Sequence, residues 1–203
     1  MDNYIVINNE RIDLTEDQIE RIVAARNAST VNLSAIPVGE TFRIGKYEFI
    51  VLEQFDETAA VILKGLYCEE TAFAENCNNY DDSYVDFKCR EFAQELSEII
   101  SWDNIVIHGV DLTSNDGLTD YGAVPRRASL LTADQYRSYV EILDKHKLDA
   151  WWWLATPWST PSHEHNRYVL CVSPSGGIDY SHFINDLGVR PFCILKSNIF
   201  VSK

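Results

Sequence analysis

Apolar residues recur at three- and four-residue steps in two segments of the chain, which is the pattern of an amphipathic helix. The first segment follows Ser83, a residue type that caps helix N-termini, and its apolar positions are Val85, Cys89, Phe92, Ala93, Leu96, Ile99 and Ile100. The second follows Thr132, with Gln135 placed to complete a capping box, and its apolar positions are Tyr136, Tyr139, Val140 and Leu143. The pattern predicts two main helices in the middle of the chain.

Short alternating or apolar runs on either side of these helices predict strands. They cover residues 4–7, 11–14, 41–44, 47–52, 58–64, 128–131, 151–155, 168–173, 178–180 and 190–195. Residues 65–82 and 103–127 show neither period, and we interpret them as loops. Because strands come first, helices follow and strands close the chain, the order favours an α+β fold with a mostly antiparallel sheet over a parallel βαβ arrangement.

The N-terminal segment is predicted to be a small appendage. Two short strands are followed by Thr15 and Gln18, another capping-box pair, and by apolar residues at helical spacing. Residues 28–40 are polar and contain a proline and a glycine, which is typical of a connection. We therefore expect a hairpin-and-helix appendage over residues 1–30, too small to be stable without docking, and one domain over residues 37–203.

The charge of the chain limits its partners. Its 203 residues include 31 acidic and 17 basic side chains, for a net charge of −14. Such a surface repels the phosphates of nucleic acid and of anionic membranes, so direct binding to either is not expected. No apolar run is long enough to span a membrane, and the first residues do not resemble a secretory signal. We expect a cytoplasmic protein in a bacterial cell. We also expect a protein partner, and a basic surface on that partner if electrostatic attraction contributes to binding.

Cysteine spacing gives no sign of a metal or cofactor. The five cysteines form no Cys-x-x-Cys pair, which fits neither a zinc site nor a small disulfide framework. Cys89, Cys171 and Cys193 lie in apolar stretches, and we interpret them as buried thiols. Whether Cys68 and Cys77 pair across a predicted loop stays open.

Aromatic residues near the C-terminal strands are the leading contact candidates. Trp151, Trp152 and Trp153 follow one another on a predicted strand, so neighbouring rings point to opposite faces. Either Trp152 or the other two belong to the core, and we take Trp152 as the structural ring. Trp153, Trp158 and Tyr168 are then expected on an exposed platform, because aromatic side chains dominate binding hot spots.

Polar residues around the tryptophans form a second group of candidates. His163 and His165 would share one face of a strand, but no clear third metal ligand is near, so we place them on a contact loop. Asp111, Asp116 and Asp120 mark an acidic stretch upstream. Its glycine and its twelfth position do not fit the calcium-loop pattern. We expect these carboxylates to contact a partner, and whether calcium binds stays open.

Motifs along the domain resemble a known family. They are Gly45–Leu52, Asn79–Ser83, Ser129–Thr132, Trp151–Pro157, Tyr168–Val169, Ser175–Gly177 and Gly188–Phe192. Over about residues 37–196 they resemble an uncharacterised domain family common in gut Firmicutes and their phages. The resemblance implies a C-type-lectin-like fold, in which variable loops carry the binding surface. It implies no reaction, because the family has none assigned.

One departure from that family bears on its C-terminal motif. Ala155 and Thr156 stand where the family has Arg-Ser before the proline, so any role of that arginine is lost or moved. Arg190 remains in the closing motif between apolar residues. We interpret it as a structural arginine that pairs with a carboxylate or with backbone carbonyls in the core.

The sequence contains no nucleophile elbow and no phosphate-binding glycine loop, so an enzyme is not expected. We expect a non-enzymatic binding protein, of bacterial or phage origin, with an aromatic and loop contact face for a protein or other ligand. One alternative is an acidic counter-defence inhibitor, comparable to an anti-CRISPR protein, that fills the basic groove of a host nuclease. Its contacts would be Glu69, Glu70, Asp81, Asp82, Asp111, Asp116 and Asp120. A further alternative is a small-ligand or sugar binder. The sequence does not predict the oligomeric state.

Overall fold

A computed structural model describes residues 4–7, 10–19 and 30–203 as a mixed α+β fold with mostly antiparallel strands. The strands, in chain order, are β1 (Tyr4–Ile7), β2 (Glu10–Asp13), β3 (Thr30–Asn32), β4 (Thr41–Ile44), β5 (Tyr47–Gln54), β6 (Thr58–Leu63), β7 (Cys68–Ala72), β8 (Ile105–Val106), β9 (His108–Asp111), β10 (Ala123–Arg126), β11 (Ala128–Ser129), β12 (Trp152–Pro157), β13 (Tyr168–Val172), β14 (Ile178–His182), β15 (Asp186–Val189), β16 (Phe192–Lys196) and β17 (Phe200–Ser202). The α+β class expected from the order of elements is confirmed.

Two sheets carry most of these strands. The larger sheet has the order β11–β16–β6–β5–β4–β17–β3, and β8 also pairs with β16. The smaller sheet has the order β14–β13–β12–β15–β7. Its pairing of β12 with β15 is parallel, whereas β13 pairs with both β12 and β14 in antiparallel register. Strand β14 is therefore an edge of the smaller sheet.

Three α-helices lie in the described part after residue 30, and they are α1 (Tyr84–Ile100), α2 (Ala133–Ser138) and α3 (Val140–Leu143). The predicted N-caps are confirmed. The Ser83 hydroxyl accepts from the backbone N–H of Asp86 at 3.2 Å, and Thr132 and Gln135 form a reciprocal capping box. The second predicted helix is divided into α2 and α3, because the backbone of Tyr139 (φ −108°, ψ 11°) leaves helical geometry.

Alternating residues of the central strand β5 build two layers of core. Phe49 and Val51 pack with the C-terminal half of α1, which contributes Phe92 and Leu96. Ile50 faces the opposite way, into a cluster formed with α2, α3 and one face of the smaller sheet. The larger sheet is thus covered on both faces, as the near-continuous apolar run of β5 requires.

The smaller sheet is also buried on both faces at its centre. Trp152 and Leu170 pack against the larger sheet. Trp153, Cys171 and other residues of the opposite face pack under the N-terminal half of α1, around Cys89. This two-sided burial decides which tryptophans can reach the surface.

The predicted loops hide several strands. Residues 65–82 contain β7, and residues 103–127 contain β8, β9 and β10, so both loop predictions were wrong. These strands are short and partly polar, and their partners can be distant in sequence: Thr71 of β7 pairs with Leu187 of β15. Strands β3, β15 and β17 were missed for the same reason.

The appendage is described only in part. Strands β1 and β2 form the predicted hairpin, and residues 16–19 are helical. The backbone N–H of Thr15 donates to the Gln18 side chain at 2.9 Å, which closes the predicted capping box. The remainder of that predicted helix lies outside the described residues. The division into residues 1–30 and 37–203 stays a prediction.

Arg190 lies inside the core and is 1% exposed. Its Nε donates to the Leu63 carbonyl at 2.9 Å and its Nη2 to the Lys64 carbonyl at 3.1 Å. Its guanidinium also lies 5.2 Å from the centre of the Trp152 ring. Burial lowers the pKa of Arg190 to about 10, so the side chain stays cationic at neutral pH. Backbone carbonyls and an aromatic ring therefore stabilise this charge.

Among the described residues, no helix is both long and apolar enough to cross a bilayer. All five cysteines are free thiols, and Cys89, Cys171 and Cys193 are buried as predicted.

Candidate functional site

Four aromatic side chains form a continuous exposed patch at the end of the smaller sheet. We call Trp158, Tyr168, Tyr180 and His182 the aromatic face. The Tyr180 ring lies 4.7 Å from the Trp158 ring and 5.4 Å from the Tyr168 ring, centre to centre. The Tyr168 ring in turn lies 5.5 Å from His182. Trp158 is 39% exposed and Tyr180 is 50% exposed, so the rings contact one another while still presenting apolar area to solvent.

Strand register explains why these rings meet. In the β13–β14 hairpin Tyr168 pairs with His182, and Leu170 pairs with Tyr180. Paired residues point to the same side of a sheet, so the aromatic face shares its side with buried Leu170. The aromatic face is therefore the outer end of a core-forming surface, at the point where the covering layer stops. Trp158 is joined to it because its backbone N–H donates to the Tyr168 carbonyl at 2.9 Å.

Two aspartates hold the loop that follows Trp158. Asp116 accepts from the Ser159 hydroxyl at 2.7 Å and from Nδ1 of His163 at 2.9 Å. Asp120 accepts from the Thr160 hydroxyl at 2.8 Å and from the backbone N–H of Ser162 at 3.1 Å. The segment from residue 158 to residue 163 is thus fixed beside the aromatic face by the acidic stretch that precedes β10.

A buried amide fixes the base of the same loop. Asn78 is fully buried, and its Nδ2 donates to the carbonyls of Ser159 and Tyr168, each at 2.8 Å. The Tyr121 hydroxyl donates to Oδ1 of Asn78 at 2.8 Å. One side chain therefore joins the residues that follow Trp158 to the start of β13, and this limits the freedom of the loop.

The charges of the two aspartates are stabilised by these bonds. Burial alone would raise the pKa of Asp116, but hydrogen bonds from two serines and from His163 hold that pKa well below its usual range. Hydrogen bonds from Ser162 and Thr160 lower the pKa of Asp120. Both carboxylates are therefore ionised at neutral pH, with lone pairs used by the chain's own donors.

Trp153 is a correction to the predicted platform. It is fully buried, and its Nε1 donates to the Thr71 carbonyl at 2.8 Å. The prediction assumed that the strand had one solvent face, whereas both faces of the smaller sheet are covered. The ring that reaches solvent in this run is Trp151, which precedes β12 and is 40% exposed. Trp152 lies in the core at 2% exposure, and its ring meets that of Tyr136 edge-to-face.

The predicted polar residues do not form one group in the structure. His163 is joined to Asp116, and His165 is exposed with its backbone N–H directed at the Thr160 carbonyl. Asp111 instead accepts from the backbone N–H and the hydroxyl of Thr113, at 2.9 and 2.6 Å. The three aspartates predicted to contact a partner thus each hold the chain's own loops.

The sequence analysis did not name Tyr180 or His182 as contact residues. The predicted strand ended at Tyr180, two residues short of the observed end of β14. The signal was available only in part: the two glycines predict a hairpin, but the turn spans residues 173–177, which is what brings His182 opposite Tyr168. Following the apolar and aromatic alternation across that turn would have joined these rings.

A carboxylate cluster on the N-terminal side of α1 is an ion-pair network. Oxygens of Asp81, Asp82 and Asp86 lie within 4.8 Å of one another. Arg126 donates to both oxygens of Asp86, at 2.7 and 2.8 Å, and Arg90 donates to Asp82 at 2.9 Å. The two guanidiniums offset part of the negative charge of the three carboxylates, and their donors use oxygen lone pairs that a cation would need.

These features define a mixed α+β protein with an exposed aromatic face beside a fixed polar loop. Residues 110–197 match a family model described as a domain of unknown function (DUF6273). The matched segment includes the tryptophan run and the Gly188–Phe192 ending, whereas the motifs before residue 110 lie outside it. This match supports an uncharacterised domain family for the C-terminal part. No curated protein and no solved structure matches the chain.

Proposed function

We propose that this chain is a non-enzymatic binding protein that holds a protein partner against the aromatic face. The observation that supports the proposal is the contact series from Trp158 through Tyr180 to Tyr168, in which every ring remains partly exposed. Exposed aromatic rings fixed by neighbours lose little conformational entropy on binding and bury large apolar area. Such rings are the side chains that most often dominate protein interfaces.

The hydrogen bonding beside the aromatic face supports binding over catalysis. Ser159, His163 and Asp116 are the residue types of a catalytic triad. In a triad the serine hydroxyl donates to the histidine, which accepts its proton during attack. Here Ser159 donates to the carboxylate at 2.7 Å and so does Nδ1 of His163. The serine proton is directed away from the imidazole, which supports a structural role for the group.

The proposal includes a fold type, an origin and a cellular location. We infer a C-type-lectin-like arrangement for the domain, of bacterial or phage origin and cytoplasmic. The mostly antiparallel sheets, together with a contact surface formed at the loop after β12, support it. The net charge of −14 favours a partner with a basic surface, because long-range attraction raises the rate of encounter.

Affinity capture with a matched pair of variants tests the proposed face. The tagged full chain, the double variant Trp158→Ala/Tyr180→Ala and the control Phe87→Ala/Phe200→Ala are compared in extracts of the producing cells. Phe87 and Phe200 are exposed aromatic residues outside the aromatic face. We expect wild type and control to retain the same partner and the first variant to lose it.

Calorimetry with the purified partner completes the test. Each single substitution, Trp158→Ala or Tyr180→Ala, is expected to raise Kd at least about tenfold. Circular dichroism and thermal unfolding establish that the variants are folded. Equal Kd values for wild type and both single variants, or loss of the partner only in the Phe87 and Phe200 control, would contradict the proposal.

The acidic inhibitor remains a second candidate because of one observation. The exposed glutamates Glu69 and Glu70 lie on β7, the other edge of the smaller sheet, and add to the net negative charge. Binding through such carboxylates falls steeply with salt, whereas binding through aromatic rings changes little. Kd measured between low and high NaCl separates the two. If the chain is a sugar binder, a saccharide from a panel tested with and without calcium should raise the melting temperature of the protein.

A further inference from the structure

A groove between α1, the strands β10 and β11 and the residues Trp102 and Ile107 differs from the rest of the surface in the charge of its lining. It has a volume of about 430 Å³, within the range of small-molecule sites. Arg90, Arg126 and Arg127 line it, and none of its lining residues in the described chain is acidic. Although the protein has 31 acidic and 17 basic side chains, every charged residue of the described chain that lines this groove is an arginine.

Arg127 is the cation best placed to meet a ligand. Its Nη1 donates to the carbonyls of Trp102, at 2.8 Å, and Ile105. Its guanidinium carbon lies 5.3 Å from the centre of the Trp102 ring. These partners are neutral, so they fix the side chain without cancelling its charge. Arg90 and Arg126, by contrast, direct donors to the aspartates at the N-terminal side of α1.

Apart from Gln94, the remaining lining of the groove is apolar, and its two largest side chains are accessible. Trp102 is 38% exposed and Ile107 is 57% exposed. Pro125 and the buried Ala93 and Ala128 complete the apolar part, and Gln94 is the one uncharged polar residue of the described lining. An apolar body placed there would cover Trp102 and Ile107 while its charged end reached Arg127. A groove with this division favours a ligand that is apolar at one end and anionic at the other.

We propose that this groove binds a small organic anion, with an aromatic body on Trp102 and Ile107 and an anionic group at Arg127. The chemical class is an aryl carboxylate, phosphate or sulfonate. The site shares no residue with the aromatic face, so it is a second binding function that does not depend on the first.

Fluorescence titration with anilinonaphthalene sulfonate, an aromatic anion, tests the site on the full chain. The matched variants are Ile107→Glu and Ile107→Gln, which differ in charge at an exposed position. We expect one molecule bound per chain, with Kd raised about fivefold or more in Ile107→Glu relative to Ile107→Gln, because a carboxylate in the groove repels the sulfonate. N-phenylnaphthylamine, the uncharged analogue, should not distinguish the two variants.

Arg127→Gln provides a second readout, with Arg43→Gln as the control at an exposed arginine. Arg127→Gln is expected to weaken sulfonate binding about tenfold, and Arg43→Gln to leave it unchanged. If Arg127→Gln does not fold, the Ile107 pair still decides. Equal sulfonate affinity for Ile107→Glu and Ile107→Gln, or the absence of saturable binding to wild type, would overturn the proposal.

Discussion

At the scale of single residues, His108 shows how packing sets a protonation state. Its Nε2 lies 2.9 Å from the Ser129 hydroxyl, and its ring meets Phe192 edge-on with centres 5.2 Å apart. Burial lowers the pKa of His108 to about 4, from an ordinary value near 6.5. The imidazole is therefore neutral in the folded protein at any pH near neutrality.

His108 makes stability dependent on pH in a defined window. Between pH 6.5 and about 4 the unfolded chain binds a proton at this residue and the folded chain does not, so stability rises with pH there. Its contribution is complete above pH 6.5 and is lost as pH falls to 4. Urea unfolding across this range should show a loss in wild type that exceeds that of His108→Gln, by at most about 3 kcal/mol.

The control for this prediction is His165→Gln, because the His165 side chain is exposed. That variant is expected to follow the wild-type pH profile. If His108→Gln and wild type lose the same free energy of unfolding between these pH values, His108 is not a buried neutral residue.

Trp153 and Trp158 mark the limit of residue-level prediction. Alternation along a strand correctly separates Trp152 from Trp153, and both turn out to be buried. Whether a face is covered depends on elements distant in sequence, here α1, and no local pattern reports it. Trp158 is exposed, as expected, because it follows the strand, where the chain leaves the sheet; its role as a contact residue stays a prediction.

At the scale of elements, the loop after Trp158 depends on a second loop. Asp116 lies in the acidic stretch between β9 and β10, yet its hydrogen bonds hold Ser159 and His163. The position of the loop beside the aromatic face is therefore set by charge-assisted bonds between two segments that form no strand pair with each other.

Asp116→Asn is expected to loosen this loop while the fold remains. The amide has one acceptor oxygen and no charge, so bonds from Ser159 and His163 weaken, with a loss of about 1–2 kcal/mol in stability. Amide hydrogen exchange in residues 159–165 should accelerate, and exchange in α1 should not. Asp111→Asn is the control, because Asp111 bonds Thr113 within its own turn. Unchanged exchange in residues 159–165 of Asp116→Asn would show that Asp116 does not hold the loop.

Elements with local signals were predicted and elements with distant partners were not. The caps at Ser83 and Thr132 were recognised because the bonds that form them join residues three apart. β7 was missed because its pairing with β15 joins residues more than one hundred positions apart and its alternation is weak. The aromatic face was predicted in part for the same reason: Trp158 and Tyr168 were named, but their ring partners on β14 were not.

At the scale of the whole molecule, two surfaces differ from an otherwise acidic exterior. The aromatic face is the uncovered end of a sheet surface that is otherwise core, and the groove at Trp102 has arginines and no acidic lining. Both surfaces border the buried core. The aromatic face continues from the cluster that contains Leu170, and the groove continues from the cluster that contains Ala93 and Ala128. That residues 1–30 form an appendage separate from the rest of the chain stays a prediction.

The central claim is that a partner binds at the aromatic face, and hydrogen exchange of the full chain, free and bound to its captured partner, tests it most directly. The account predicts slowed exchange in residues 158–168 and 178–183 on binding, and unchanged exchange in α1 and around Trp102. Protection confined to other segments, or no protection in residues 158–168 and 178–183 at saturating partner, would contradict it.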